Sequence, residues 1–241
     1  MGVSVSHEAD PQVIELIGPA GAGKTSLLRA IAQQTPTVRT DVRLGRLRTL
    51  PVVAWTAIAL TPASLELFFT DAGLLWSGVR HLWRLGAFPS ELERARGSRH
   101  HTILLDEGPL FSLGRLSVFQ RASEGSGWLA RAWSAQVERW SGILTGVVLL
   151  DADNETLAQR IRYRPKDHLI KTGSDREVFG FLDRYRAAYR DIVTRLTASG
   201  RVQVLEFDTA SRPFEQIATD IVTALDGWAA RSEAATAQRR V

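Results

Sequence analysis

Two kinds of pattern alternate along the chain. Short runs in which nearly every position is apolar are separated by longer stretches in which apolar residues return every three or four positions. The first short run, residues 13–17 (VIELI), stops at Gly18, and residues 25–34 follow with helical spacing. Residues 101–106 (HTILLD), 146–151 (GVVLLD) and 202–208 (VQVLEFD) are further strands, and each ends on an aspartate: Asp106, Asp151 and Asp208. Near-continuous apolar strands predict a parallel sheet covered on both faces, with ligands at the carboxyl ends of its strands. Residues 52–60 read equally as a further strand or as buried helix, because periodicity does not separate the two over so short a run.

Between the strands, Leu129, Trp133, Val137 and Trp140 share one helix face, as do Leu182, Tyr185, Tyr189, Ile192 and Leu196. These are predicted crossover helices. Residues 214–225 form a last helix, and the alanine-rich, polar segment 228–241 is predicted to fray. Residues 35–99 carry Trp55, Trp76 and Trp83 among many arginines and are too long for a loop. They are read as a mostly helical insertion over the carboxyl edge of the sheet, where an acceptor would bind. The 241 residues, with no internal repeat, predict one domain spanning 1–241.

Composition narrows the function classes. The chain has no cysteine, which removes disulfides, thiolate metal sites and a cysteine nucleophile, and makes a cytoplasmic location the expectation. No apolar run approaches the ~20 residues that span a bilayer, and the first residues carry no secretory pattern, so no membrane partner is expected. The net charge of +4 is spread along the chain, which argues against nucleic acid as a partner and suits small anions. Arginine supplies nearly all the positive charge, and the only lysines are Lys24, Lys166 and Lys171.

Lys24 lies in Gly18-Pro19-Ala20-Gly21-Ala22-Gly23-Lys24-Thr25, a full match to G-x-x-x-x-G-K-S/T. Glycines let such a backbone curl around phosphate oxygens at the positive end of a helix. The predicted nucleotide contacts are Gly18, Ala20, Gly21, Ala22, Gly23, Lys24, Thr25 and Ser26. Lys24 would reach the β and γ phosphates of ATP, and the Thr25 hydroxyl would ligate Mg²⁺. Asp106, at the end of an apolar strand, is the expected second metal residue. Glu107 has three readings: it orients a water, takes a proton from an acceptor, or pairs with an arginine. Asp41 is an alternative base.

Residues 160–176 are basic: Arg160, Arg162 and Arg164 alternate, and Lys166, His168, Lys171 and Arg176 bracket Gly173. They read either as a lid that closes over the nucleotide or as a solvated basic helix end. With GPAGAGKTS, LLDADNETLAQRIRYR and DREVFGFLDRYRAAY, the chain resembles the P-loop nucleoside and nucleotide kinases, especially the thymidylate kinase group, over residues 12–35 and 101–225. The resemblance implies a three-layer P-loop NTPase fold with a central five-stranded parallel sheet, and a γ-phosphoryl transfer from ATP to a small-molecule acceptor. It also allows a homodimer.

By position, the resemblance would stack Arg160 on adenine, beside Ala210 after the last strand, and would set Arg162 and Arg164 on the transferred phosphate. Arg160 also has a plain helix-packing reading. Two departures limit the likeness. The group's Arg-Glu-Pro-Gly stretch and its Asp-Arg-Tyr/His are replaced by residues around Thr40-Asp41-Val42 and by Asp106-Glu107-Gly108. Both are acceptor elements, so dTMP is not the expected acceptor. A P-loop ATPase that switches shape or drives a partner is the competing reading, favoured by the Asp106-Glu107 pair.

Overall fold

The computed structural model describes residues 11–35, 37–40, 75–96, 102–124, 127–165 and 168–238. Five parallel strands form one sheet in the order β2-β3-β1-β4-β5: β1 Gln12–Ile17, β2 Val38–Arg39, β3 Thr102–Asp106, β4 Gly146–Asp151 and β5 Gln203–Asp208. Strand β1 lies between β3 and β4, with Leu16 opposite both Asp106 and Val148. The seven described helices are α1 Lys24–Gln34, α2 Leu75–Arg96, α3 Pro109–Gln120, α4 Trp128–Ser141, α5 Asn154–Tyr163, α6 Asp175–Thr197 and α7 Phe214–Gln238.

Strand alternation sends side chains into two cores, one on each face of the sheet. Val13, Ile17, Ile103, Leu105 and Val147 meet α2, α3, α4 and α6. Ile14, Leu16, Leu104, Val148 and Leu150 meet α1, α5 and α7. The α/β class, the five-stranded parallel sheet and its cover of helices on both faces agree with the expectation from the apolar runs.

Three features differ from the sequence reading. The fifth strand is the two-residue β2, paired with β3 at Val38↔Thr102 and Arg39↔Ile103, inside the stretch assigned to the insertion. A pair of residues has no periodicity to read. Residues 52–60 lie outside the described residues, as do Trp55 and Asp41; within residues 35–99, the described helix α2 spans 22 residues.

Helix α3 was not anticipated. Pro109 opens it, and it buries Leu110, Leu113 and Leu116 but also Ser112, Gly114 and Ser117, so its sequence shows no clean apolar stripe.

The segment from residue 228 is the third difference. Helix α7 runs on to Gln238, and Trp228 is 6% exposed in the core on the α1 face. Its indole lies where a Cβ on Gly146 would be, 2.1 Å from the ring. The first residue of β4 is thus a glycine because an aromatic ring occupies the space a side chain would need.

Candidate active site

The glycine loop joins β1 to α1 at the sheet's carboxyl edge. Gly18 has φ 147°, and a Cβ there would lie 2.1 Å from the Leu150 carbonyl on β4, so only glycine lets the loop leave β1 this close to its neighbour. Gly23, at φ 84°, occupies the N-cap of α1, and the Phe214 ring stands where its side chain would be. Helix α1 has neither a side-chain cap nor an acidic residue in its first turn, so its leading N–H groups are left to an anion.

Lys24 is tied to the loop itself: Nζ donates to the Gly18 and Pro19 carbonyls at 2.8 and 3.0 Å. Burial pulls its ammonium below the ordinary lysine value, Asp106 and Glu107 oppose that shift, and Arg164 adds to it. Arg160 Nη1 of α5 donates to the Gly21 carbonyl at 3.5 Å and the Thr25 hydroxyl meets Asp106 at 2.8 Å, so the loop, the β3 tip and α5 come together at one site.

The Thr25 hydroxyl donates to Asp106 Oδ2 at 2.8 Å. A hydroxyl and a carboxylate side by side at a phosphate loop form a hard-oxygen pair suited to Mg²⁺, which completes its shell with water and phosphate oxygens. No group of three or more His, Cys, Asp or Glu side chains that could hold a metal ion occurs among the described residues.

Glu107 is exposed, with φ 59°, and its carbonyl accepts from Arg84 Nη2 at 2.7 Å. Helix α2 therefore reaches the residue next to Asp106, a contact that no motif announces.

Arg160 holds Thr209, the residue before Ala210. Arg160 donates from Nη1 to Thr209 Oγ1 and from Nη2 to the Thr209 carbonyl, each at 2.8 Å, and its guanidinium lies 5.8 Å from the Phe214 ring centroid. Thr209 is in turn bonded through N–H and hydroxyl to the Asp151 carbonyl, at 2.8 and 3.0 Å. Thr209 was missed from sequence, where only its place after an aspartate-ended strand marks it.

The other two arginines of the basic segment differ in surroundings. Arg162 Nη2 pairs with Asp175 Oδ1 at 2.5 Å and so ties the end of α5 to the start of α6. Arg164, half-buried, is the one that acts on Lys24, and its carbonyl accepts from Lys171 Nζ at 2.8 Å. Lys166 lies outside the described residues. Arg186, which sequence reading passed over, holds the far side: it donates to Asp151, Asn154, Asp183 and the Ala152 carbonyl at 2.6–2.8 Å.

Beneath the site is another missed residue, Glu15. It is 0% exposed on β1, and its two carboxylate oxygens accept the Leu110 and Phe111 N–H groups, both at 2.9 Å. Pro109 has no N–H, so Glu15 satisfies the next two donors of α3 in place of a side-chain N-cap. Burial pushes Glu15 up to about 8, aided by Asp106 and opposed by those N–H groups and by Arg84. A lone acid inside an apolar strand run was the available signal.

A parallel sheet of this order with a glycine phosphate loop after its first strand and a basic segment after its fourth defines the P-loop kinase fold. Two solved structures of the deoxyadenosine kinase from M. mycoides share it. One, with the products dCMP and a flexible dCDP bound, aligns with TM-score 0.54 and 14% identity over 90% of this chain and 100% of that one. The other, with dATP bound, aligns with TM-score 0.50 and 13% identity over 89% and 100%. Likeness at this identity establishes the fold alone. No protein-family model matches the chain, and no curated protein matches it. No helix among the described residues is long and apolar enough to cross a membrane.

Proposed function

We propose that this chain is an ATP-dependent phosphotransferase of the nucleoside and nucleotide kinase type, acting as a single cytoplasmic domain on a small-molecule acceptor. The observation that carries this reading is the joining of three separate elements at one point. The Thr25 hydroxyl of the loop meets Asp106 of β3 at 2.8 Å, and Arg160 Nη1, at the start of the basic segment, meets the Gly21 carbonyl at 3.5 Å. A basic segment that reaches the loop in the same chain suits transfer, because it neutralises charge at the phosphoryl group while covering it. The deoxyadenosine kinase likeness supports the same class.

In this reading the uncapped start of α1 and the loop receive the phosphates, and Lys24 bridges the β and γ groups. Thr25 and Asp106 would hold Mg²⁺, which supplies charge neutralisation on the phosphate oxygens. Arg160 and Ala210 flank the base, with Thr209 fixing the arginine's plane. Arg164 faces the transferred group, and Arg162 braces the lid against Asp175. Catalysis is then mostly positioning and electrostatics.

The test is incubation with γ-labelled ATP and a pooled set of nucleosides, nucleotides and other hydroxyl metabolites. Transfer of label to an acceptor, abolished by Lys24→Ala, is the expected result. Label released only as free phosphate, whatever is added, sinks the kinase reading and leaves the ATPase one.

A further inference from the structure

The carboxyl tips of β4 and β5 and the middle of α6 enclose a cavity of about 380 Å³, to which the phosphotransferase reading gives no role. Its volume falls in the range of small-molecule sites. Leu149, Tyr189 and Pro19 give it apolar lining, and Pro19 belongs to the glycine loop. Parallel pairing sets Leu149 beside Glu206 and Asp151 beside Asp208, so these side chains share the face of the sheet on which Tyr189 of α6 packs.

The charged side chains around the cavity fall into two groups. Asp151, Asp153 and Arg186 are spent within the protein. Arg186 Nε donates to Asp151 Oδ2 at 2.7 Å and its Nη2 to the Ala152 carbonyl at 2.6 Å, while Asp153 caps α5 by accepting the Thr156 N–H and hydroxyl at 2.7 and 2.6 Å. Glu206, Asp208 and Arg190 are exposed. Asp208 gives one oxygen to the Ala210 N–H at 2.8 Å, and no ion pair joins Arg190 to Glu206 or Asp208 among the described residues. The cavity thus holds opposite charges apart, with two carboxylates on the β5 wall and one guanidinium on α6, a turn beyond Arg186.

We propose that this cavity binds a basic amino acid, a ligand with one carboxylate and two cationic nitrogens joined by a methylene stem. The inference is independent of the phosphotransferase reading. Glu206 and Asp208 stand two residues apart on one strand face, about 7 Å along β5, a spacing that the α-ammonium and the side-chain cation together span. The ligand carboxylate meets Arg190, whose planar donors suit it. The stem lies on Leu149 and Pro19, as the stems of long cationic side chains lie on apolar protein surface. A neutral amino acid leaves one wall carboxylate unmatched, and a diamine leaves Arg190 unmatched. Exposed ion pairs are individually weak, so three of them and the stem together give a Kd of about 0.1–1 mM.

The test is calorimetric titration of the full chain at neutral pH and low ionic strength with L-lysine, L-ornithine and L-arginine. Norleucine, which lacks the side-chain cation, and cadaverine, which lacks the carboxylate, serve as controls. At least one basic amino acid should bind one site per chain, and both controls about five- to ten-fold more weakly. Glu206→Gln and Arg190→Gln change exposed side chains and should keep the native melting temperature. Each should weaken the amino acid about five- to ten-fold, and Arg190→Gln should leave cadaverine binding unchanged. No saturable heat from any of the three amino acids overturns the proposal, as does an affinity that either variant leaves unchanged. Norleucine or cadaverine binding as tightly as lysine overturns the ligand class. A lysine-rich peptide that binds where the free amino acids do not makes the cavity a protein-docking surface and overturns it too.

Discussion

Replacing Glu15 by leucine tests how the floor of the site is held. Leucine is close enough in volume to keep β1 packed, so the change acts on hydrogen bonds more than on a cavity. Two donors lose their acceptor. The Leu110 N–H is buried, and leaving it unpaired costs about 1–3 kcal/mol; the Phe111 N–H is partly reached by solvent and costs about 1 kcal/mol. The expected loss is about 2–4 kcal/mol, reduced somewhat because a buried carboxyl is removed as well.

The pH dependence is specific to this residue. Glu15 rises from 4.5 in the unfolded chain to about 8 in the folded one, so between these values the folded state holds a proton that the unfolded state has released. Stability from this group is full below 4.5 and is lost as pH rises toward 8. His81, lowered from 6.5 to about 3, acts in the opposite sense, but only below 6.5. From pH 6.5 to 8, roughly 1.5 units, Glu15 therefore removes about 2 kcal/mol. Urea unfolding followed by tryptophan fluorescence at both pH values should show that fall in the native chain and not in Glu15→Leu. A cost under about 1 kcal/mol, or the same pH slope in both proteins, would refute the reasoning.

Other outcomes follow from the same contacts. Under the proposed function, Arg164→Ala should lower kcat about a hundred-fold with little change in the ATP KM, whereas Arg162→Ala should match Asp175→Asn in steady-state kinetics, since both break the Arg162–Asp175 bridge. Gly146→Val should destabilise the protein by about 3 kcal/mol or more in thermal denaturation, and Trp228→Ala in the same chain should recover part of that loss, because the new side chain meets the indole. Arg186→Ala should cost about 2–4 kcal/mol by urea unfolding, since it leaves Asp151 and the Ala152 carbonyl without their shared donor.

Much of this protein is local and therefore legible in its sequence. The four apolar runs became β1, β3, β4 and β5; β1, β3 and β4 are largely buried because strands covered on both faces have little use for polar side chains, while β5, at the sheet edge, stays half-exposed. The glycine loop was readable because left-handed backbone at Gly21 and Gly23 is a demand of single residues. Trp228 was misjudged for the opposite reason: an aromatic in a polar, alanine-rich stretch is buried only because a glycine on a distant strand leaves room for it. The two-residue β2 exists through its pairing with β3 and has no pattern of its own.

The site divides along the same line. Spacing alone put Lys24 and Thr25 on one loop, but the 2.8 Å approach of Thr25 to Asp106 depends on β1 and β3 being neighbours. Arg84, Thr209, Arg186 and Glu15 belong to no motif, and their roles come from partners 3 to 96 positions away. Sequence determined the glycine loop that the proposed function assigns to a triphosphate, since that pattern lies in consecutive backbone groups. Only the tertiary structure decided which side chains meet that loop, because a side chain is directed by what packs behind it.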